Sequence, residues 1–314
     1  MRGVCRRVPN CDRASATVRA DGGRDPYDAV MSLFPPLPTS VTSQKVTVAD
    51  GVDLRILRAG SGTPLLLIPG WSFSAEVFVH QLIELSAEYD VIAVDPRGHG
   101  QSSKPLTGNN YPQRGRDLAA LVDALGLDGF VLAGWSFGVL DALSYLQQAG
   151  HEKVSRLILI DEPPRVPFDP RDPAEWGEAG LSHDGLPAYV LFLSTARDDF
   201  LAYIATDALG VDAGDPAAER LIADGAQTPE HIAVITGAEG LSSDFSATAI
   251  EYAATGKPLL FFAKEAWADA ARAWVSANLP GAQFATIPVH AGFLTEPAAF
   301  NARVREFIGR DVTR

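Results

Sequence analysis

Short continuous apolar runs recur along the chain, at Leu65–Ile68, Val91–Val94, Val131–Ala133, Leu157–Ile160 and Leu259–Phe262, and each gives way to glycine, proline or charged residues. A strand buried on both faces of a parallel sheet has this pattern. Between the runs, apolar residues fall at helical spacing. Val77, Phe78, Leu82 and Leu85 mark one helix, with Ser72 or Ser74 as its N-cap. Others are predicted from Asp117 to Leu125, from Phe137 to Ala149, from Ala266 to Leu279 and from Pro297 to Ile308. Ahead of them, 44–48 and 54–57 alternate apolar with polar residues across Asp50-Gly51, a hairpin signal. Ala282–Ile287 reads as a last strand. Strand alternating with helix predicts an α/β fold, a mostly parallel twisted sheet with helices on both faces.

The rhythm breaks between Pro163 and Gly256, where Pro-rich turns and helical stretches such as Tyr189–Ala205 appear without a convincing strand. This segment is expected to be a helical lid over the carboxyl ends of the strands. The division is therefore a disordered N-terminal extension over 1–39, a first part of the core over 40–162, the lid over 163–256 and a second part of the core over 257–314. The extension is rich in Arg, Asp, Gly and Pro and lacks the apolar centre of a signal peptide. Met31, just before the folded part, is read as the natural start.

Composition narrows the class. With 314 residues, 46% of them hydrophobic, the chain can bury a sizeable core. A formal charge of −13 argues against nucleic acid and anionic membrane surfaces as partners. No apolar run approaches the roughly 18 residues of a membrane span, and a cytoplasmic location is expected. The two cysteines, Cys5 and Cys11, lie outside the predicted core, so no disulfide framework is expected there. No metal-ligand spacing or phosphate-binding glycine loop is present, and no metal or cofactor is expected. A homodimer is left open.

The chemistry centres on Gly134-Trp135-Ser136-Phe137-Gly138, which joins an apolar run to a helix. A serine on such a sharp strand-to-helix turn is a nucleophile elbow. The turn demands small residues two positions either side, and both are glycine. In a parallel sheet the site lies outside the carboxyl ends of the strands. Ser136 should therefore meet Pro69-Gly70-Trp71, the loop from Asp95 to Ser102, and Asp161-Glu162.

In this order, Ile68-Pro69-Gly70-Trp71, Asp95-Pro96-Arg97-Gly98-His99-Gly100-Gln101-Ser102, the elbow, and His290 followed by Thr295-Glu296-Pro297 resemble the α/β-hydrolase family. The resemblance runs from about Gln44 to the end, apart from the lid. It implies Ser136 as nucleophile and His290 as base, because of the six histidines only His290 follows the last strand. It also implies the backbone N–H groups of Trp71 and Phe137 as the oxyanion hole. Pro69 stands where the family usually has histidine.

The triad acid departs from the common pattern. Many relatives carry an aspartate in a Gly-x-x-Asp loop after the strand that is here Leu259–Phe262; this chain reads Ala263-Lys264-Glu265-Ala266-Trp267, with Trp267 near the aspartate's place. Some relatives carry the acid at the end of the strand after the elbow, where Asp161 stands. Glu162 is the alternative, with Glu265 and Asp269 behind it. The expected reaction is cleavage of a carboxylic ester or lactone through an acyl-enzyme. The pocket is expected to be apolar, lined by Phe73, Trp135, Trp176 and Phe192, with Tyr189 and Phe200 from the lid, and to suit an aromatic or apolar small-molecule substrate. A cofactor-free dioxygenase acting on an N-heteroaromatic ring is the alternative, although Phe73 stands where those enzymes carry a substrate-binding histidine. A non-catalytic ligand-binding protein is the other.

Overall fold

Asp50 and Gly51 reverse the chain between β1 (Thr42–Ala49) and β2 (Val52–Ala59), Gly51 taking the left-handed φ of 71° that the turn requires. This hairpin leads into a computed structural model that describes residues 33–171, 175–176 and 181–309. Cys5, Cys11 and Met31 lie outside the described residues. Residues 33–39, expected to be part of a disordered extension, instead lie on the fold. Leu33, Phe34 and Leu37 pack against the core, and the Leu33 carbonyl is 3.0 Å from His80 Nε2. Their apolar side chains show no helical or strand period, so only tertiary packing reveals them.

The apolar runs lie in β3 (Thr63–Ile68), β4 (Tyr89–Val94), β5 (Phe130–Trp135), β6 (Val154–Ile160) and β7 (Leu259–Lys264), and β8 (Gln283–Ile287) closes the sheet. The eight strands are ordered β1-β2-β4-β3-β5-β6-β7-β8. β1 and β2 pair antiparallel, β2 joins β4 antiparallel, and all later pairings are parallel. Every residue of β4 and β5 is buried, as strands covered on both faces must be.

Helices cover the faces. α1 (Val79–Glu84) follows a short turn capped by Ser74, whose hydroxyl accepts from Glu76 N. α2 (Tyr111–Ala124) starts six residues before the predicted Asp117, because Asn110 caps it and Pro112 fits its first turn. Gly115 weakens the helical signal there, and it is glycine because α3 (Phe137–Ala149) passes close: a Cβ at Gly115 would lie 2.5 Å from Ser144 Oγ.

Between β6 and β7 come α4 (Leu186–Thr195), α5 (Arg197–Leu209), α6 (Pro216–Gly225), α7 (Glu230–Leu241) and α8 (Ser246–Ala254). The single helix predicted over Tyr189–Ala205 is thus two, broken at Ala196. Tertiary bonding overrides propensity here: the buried Arg197 guanidinium donates to the carbonyls of Gly225 and Thr228 at 2.9 and 3.0 Å. Among the described residues this segment forms no strand, only isolated bridges Arg165–Asp244 and Phe168–Ser182. Buried bonds tie it to loops at the carboxyl ends of the strands: Ser74 to Asp224, Thr228 to the Ser72 carbonyl, Trp71 Nε1 to the Ala233 carbonyl and Ala291 N to the Ala208 carbonyl. α9 (Ala268–Asn278), α10 (Gly292–Thr295) and α11 (Pro297–Gly309) complete the chain. Among the described residues no helix is long and apolar enough to cross a membrane.

Candidate active site

β5 ends at Trp135, and the next residue, Ser136, takes φ 51° and ψ −135° before α3 begins at Phe137. A positive φ is costly for a residue with a Cβ. The neighbours hold it: Ser136 N donates to the Ile160 carbonyl at 2.9 Å, and the Ser136 carbonyl accepts from Val139 N at 2.7 Å. The flanking glycines are sterically required. A Cβ at Gly134 would lie 2.2 Å from the Gly138 carbonyl oxygen, and one at Gly138 would lie 2.3 Å from that of Ile68. The loop after β3 presses on the serine as well, since a Cβ at Gly70 would come within 2.9 Å of Ser136 Cβ.

The strand beside β5 repeats the device. Asp161, directly after β6, has φ 53°, and its N–H donates to the Phe262 carbonyl at 2.8 Å. Its fully buried carboxylate is saturated. Oδ2 accepts from His290 Nδ1 at 2.7 Å, while Oδ1 accepts from Lys264 N and from Trp267 Nε1, both at 2.6 Å. Lys264 Nζ sits 4.4 Å over the Trp267 ring. The loop carrying His290 is fixed from beneath by Trp135, whose Nε1 donates to the His290 carbonyl at 2.8 Å and whose ring lies 5.2 Å from the imidazole. Glu162 faces the other way, its Oε2 lying 3.5 Å from Ser136 Oγ. Asp161 and Glu162 therefore divide what the sequence left open: Asp161 meets the histidine, Glu162 the serine.

Ser136, Glu162, His290, Trp71 and Phe137 line one cavity of about 550 Å³ of empty space, counting its open mouth. The insertion supplies Tyr189, Phe200, Tyr203, Ile204, Asp207, Gly237 and Leu241. Of the aromatic residues expected to line it, Phe73, Trp135, Trp176 and Phe192 do not. Phe73 is buried and stacks on Trp135 at 5.5 Å, so both form the floor's support. Trp176 packs edge-on against Phe261 and Trp267, and Phe192 packs edge-on against Phe200. Sequence adjacency to the Ser136 turn does not say on which side of the turn a ring lies. The missed lining residues did carry a signal. Tyr203, Ile204 and Asp207 stand three, four and seven residues after Phe200, which was expected in the lining, on one face of α5.

The loop after β4 has a supporting part. Asp95 accepts from Ala75 N and Gln101 N, and Arg97 pairs with Asp117. His99 is fully buried with Nδ1 3.1 Å from the Phe73 carbonyl oxygen. Burial, with the Arg114 charge beside it, holds His99 well below the usual imidazole range. Glu265 lies in a turn after β7 and Asp269 in α9, while the carboxylate bonded to His290 Nδ1 is that of Asp161. Among the described residues no group of three or more His, Cys, Asp or Glu is placed to hold a metal ion.

Residues 63–189 match the model of the alpha/beta hydrolase fold family. A non-heme chloroperoxidase of Streptomyces lividans is 33% identical over 165 residues, 52% of this chain and 54% of that protein. The chain thus aligns with about half the length of this curated relative. Two solved structures superpose with a TM-score of 0.75 over 86% of this chain and 100% of theirs: a bromoperoxidase from Bacillus anthracis at 21% identity and an esterase from Exiguobacterium antarcticum at 20%. The chain has the α/β-hydrolase fold.

Proposed function

We propose that this protein is a serine hydrolase that cleaves a carboxylic ester or lactone. The observation that carries this reading is the pairing of His290 with the buried Asp161 at 2.7 Å, in the cavity that also holds the strained Ser136. In this reading the three form a catalytic triad. His290 takes the hydroxyl proton as Ser136 Oγ attacks the carbonyl carbon, and Asp161 stabilises the imidazolium. The N–H groups of Trp71 and Phe137 receive the oxyanion, each such donor contributing about 3 kcal/mol. His290 returns the proton to the leaving alkoxide. Water, deprotonated by the same imidazole, then releases the acid and frees the serine. The sequence of steps needs no metal or organic cofactor. The helical insertion serves as a lid whose α5 face shapes the substrate site.

Similarity to proteins named chloroperoxidase and bromoperoxidase favours one side activity: hydrogen peroxide in place of water would release a peracid from the same acyl-enzyme. The dioxygenase alternative loses support, because Phe73 is packed beneath the cavity and offers a ring substrate nothing to bind. Turnover of p-nitrophenyl acetate and butyrate by the wild type and Ser136→Ala tests the proposal. We expect Ser136→Ala to lower kcat by about 10⁴-fold or more. Equal rates in the two proteins, or an inactive wild type, would overturn it.

A further inference from the structure

The triad accounts for Asp161 but not for Glu162. This second carboxylate is buried to 1% exposure, follows Asp161 directly, and places Oε2 3.5 Å from the nucleophilic oxygen. We infer that Glu162 is a specificity-determining residue, which favours substrates with a hydrogen-bond donor, ammonium or hydroxyl, beside the scissile carbonyl and rejects those with an anionic group there. The inference rests on the ester-hydrolase reading of the same site.

The reasoning is one of distance and charge. An ester carbon under attack must lie about 3–3.5 Å from Ser136 Oγ. Substituents one or two bonds from that carbon then come within hydrogen-bonding reach of Glu162 Oε2. Among the described residues, the acidic side chains lining the cavity are Glu162 and Asp207, and no lysine or arginine lines it. Asp207 is half-exposed and held by Lys264 Nζ at 2.8 Å, which leaves Glu162 as the acidic group next to the reacting atoms. A substrate carboxylate would meet it in a water-poor site where like charges repel strongly. A substrate ammonium would instead form a charge-assisted bond, stronger than a neutral one. The chain's formal charge of −13 acts in the same sense on approach.

Two matched series test this. On the acyl side, ethyl glycinate, ethyl propanoate and monoethyl malonate differ in a single group next to the carbonyl. On the alcohol side, acetylcholine is compared with its uncharged carbon isostere. For the wild type, kcat/KM should be about tenfold or more higher for the amine or ammonium member of at least one series than for its neutral isostere, and lowest for the malonate half-ester. Glu162→Gln should bring those ratios to within about twofold, whereas Asp207→Asn should leave them standing. A wild type that prefers the half-ester overturns the inference without any variant. So do ratios that survive Glu162→Gln, or that collapse in Asp207→Asn instead. A wild type inactive on every ester overturns the hydrolase reading itself; equal activity on all of them overturns this inference alone.

Discussion

β6 and β7 lie side by side in parallel register, with Ile160 opposite Phe262, yet their ends do different work. After β6 stands a carboxylate, Asp161, in a left-handed conformation. After β7, where many proteins of this fold carry the acid, stand two donors, Lys264 N and Trp267 Nε1, and both bind Asp161 Oδ1 at 2.6 Å. On the hydrolase reading the histidine requires a carboxylate fixed at one point in space, and the comparison predicts that either strand end can supply it. It also shows what the other end must then become. Acids at both ends would place like charges side by side. A tryptophan with its N–H turned inward neutralises nothing but completes the hydrogen bonding of a buried anion.

The largest test of this comparison is Asp161→Asn, which should lower kcat on p-nitrophenyl butyrate by about 10⁴-fold, since the amide neither fixes the tautomer nor stabilises the imidazolium. Adding Trp267→Asp to that variant returns a carboxylate to the β7 end. At least about tenfold recovery would show that the two ends are interchangeable; no recovery would break the comparison.

The ends of β5 and β6 both carry a positive φ, but only the first is clamped by glycines on both sides. Gly138→Ala pushes a methyl group to 2.3 Å from the Ile68 carbonyl oxygen. Such a clash with backbone in a packed core should cost about 3 kcal/mol, read as a lowered urea midpoint at unchanged m-value. A fully stable variant would mean the elbow can open.

Trp267→Phe should act more mildly. It removes one of the donors to Asp161 but keeps the ring that Lys264 overlies and Trp176 meets edge-on. We expect kcat to fall about tenfold with KM unchanged. A rise in KM instead, with kcat intact, would show that Trp267 shapes the lid rather than the acid.

These residues differ in how far the sequence reveals them. Leu65–Ile68 and Leu259–Phe262 are legible because a strand buried on both faces must be apolar throughout. Gly134 and Gly138 are legible because no other residue fits the turn. Asp161 could be picked out against the missing acid after β7 and preferred to Glu162 because it directly ends the strand; where Glu162 points needed the third dimension. The chain leaves β6 through a left-handed turn at Asp161, and a sequence pattern cannot say which of the two side chains that turn aims at the histidine. The bonds from Trp267 to Asp161 and from Trp135 to the His290 carbonyl join residues far apart in the chain, so no local signal carries them. The insertion was legible as helical, but its break at Ala196 was not, because distant carbonyls set it.

The end of β4 offers the control for all of this. It carries an aspartate, Asp95, and a histidine, His99, like the working strand ends, but His99 is sealed from the cavity and its Nε2 lies 3.4 Å from Arg114. Burial holds its pKa well below the ordinary value. The folded protein therefore keeps His99 neutral as the pH falls, while the unfolded chain takes up a proton near the usual value of about 6.5. The unfolded state then binds more protons, and this share of stability, complete above about pH 6.5, is lost below it at up to about 1.4 kcal/mol per pH unit. His99→Gln removes that titration. The stability difference between variant and wild type, taken from urea unfolding at pH 7.5, 6 and 5, should shift in favour of the variant as the pH drops, while kcat per folded molecule stays close to wild type. A difference that does not change with pH would mean that His99 takes up its proton in the fold as readily as in the unfolded chain. A collapse of kcat would mean that the end of β4 belongs with the working ends after all.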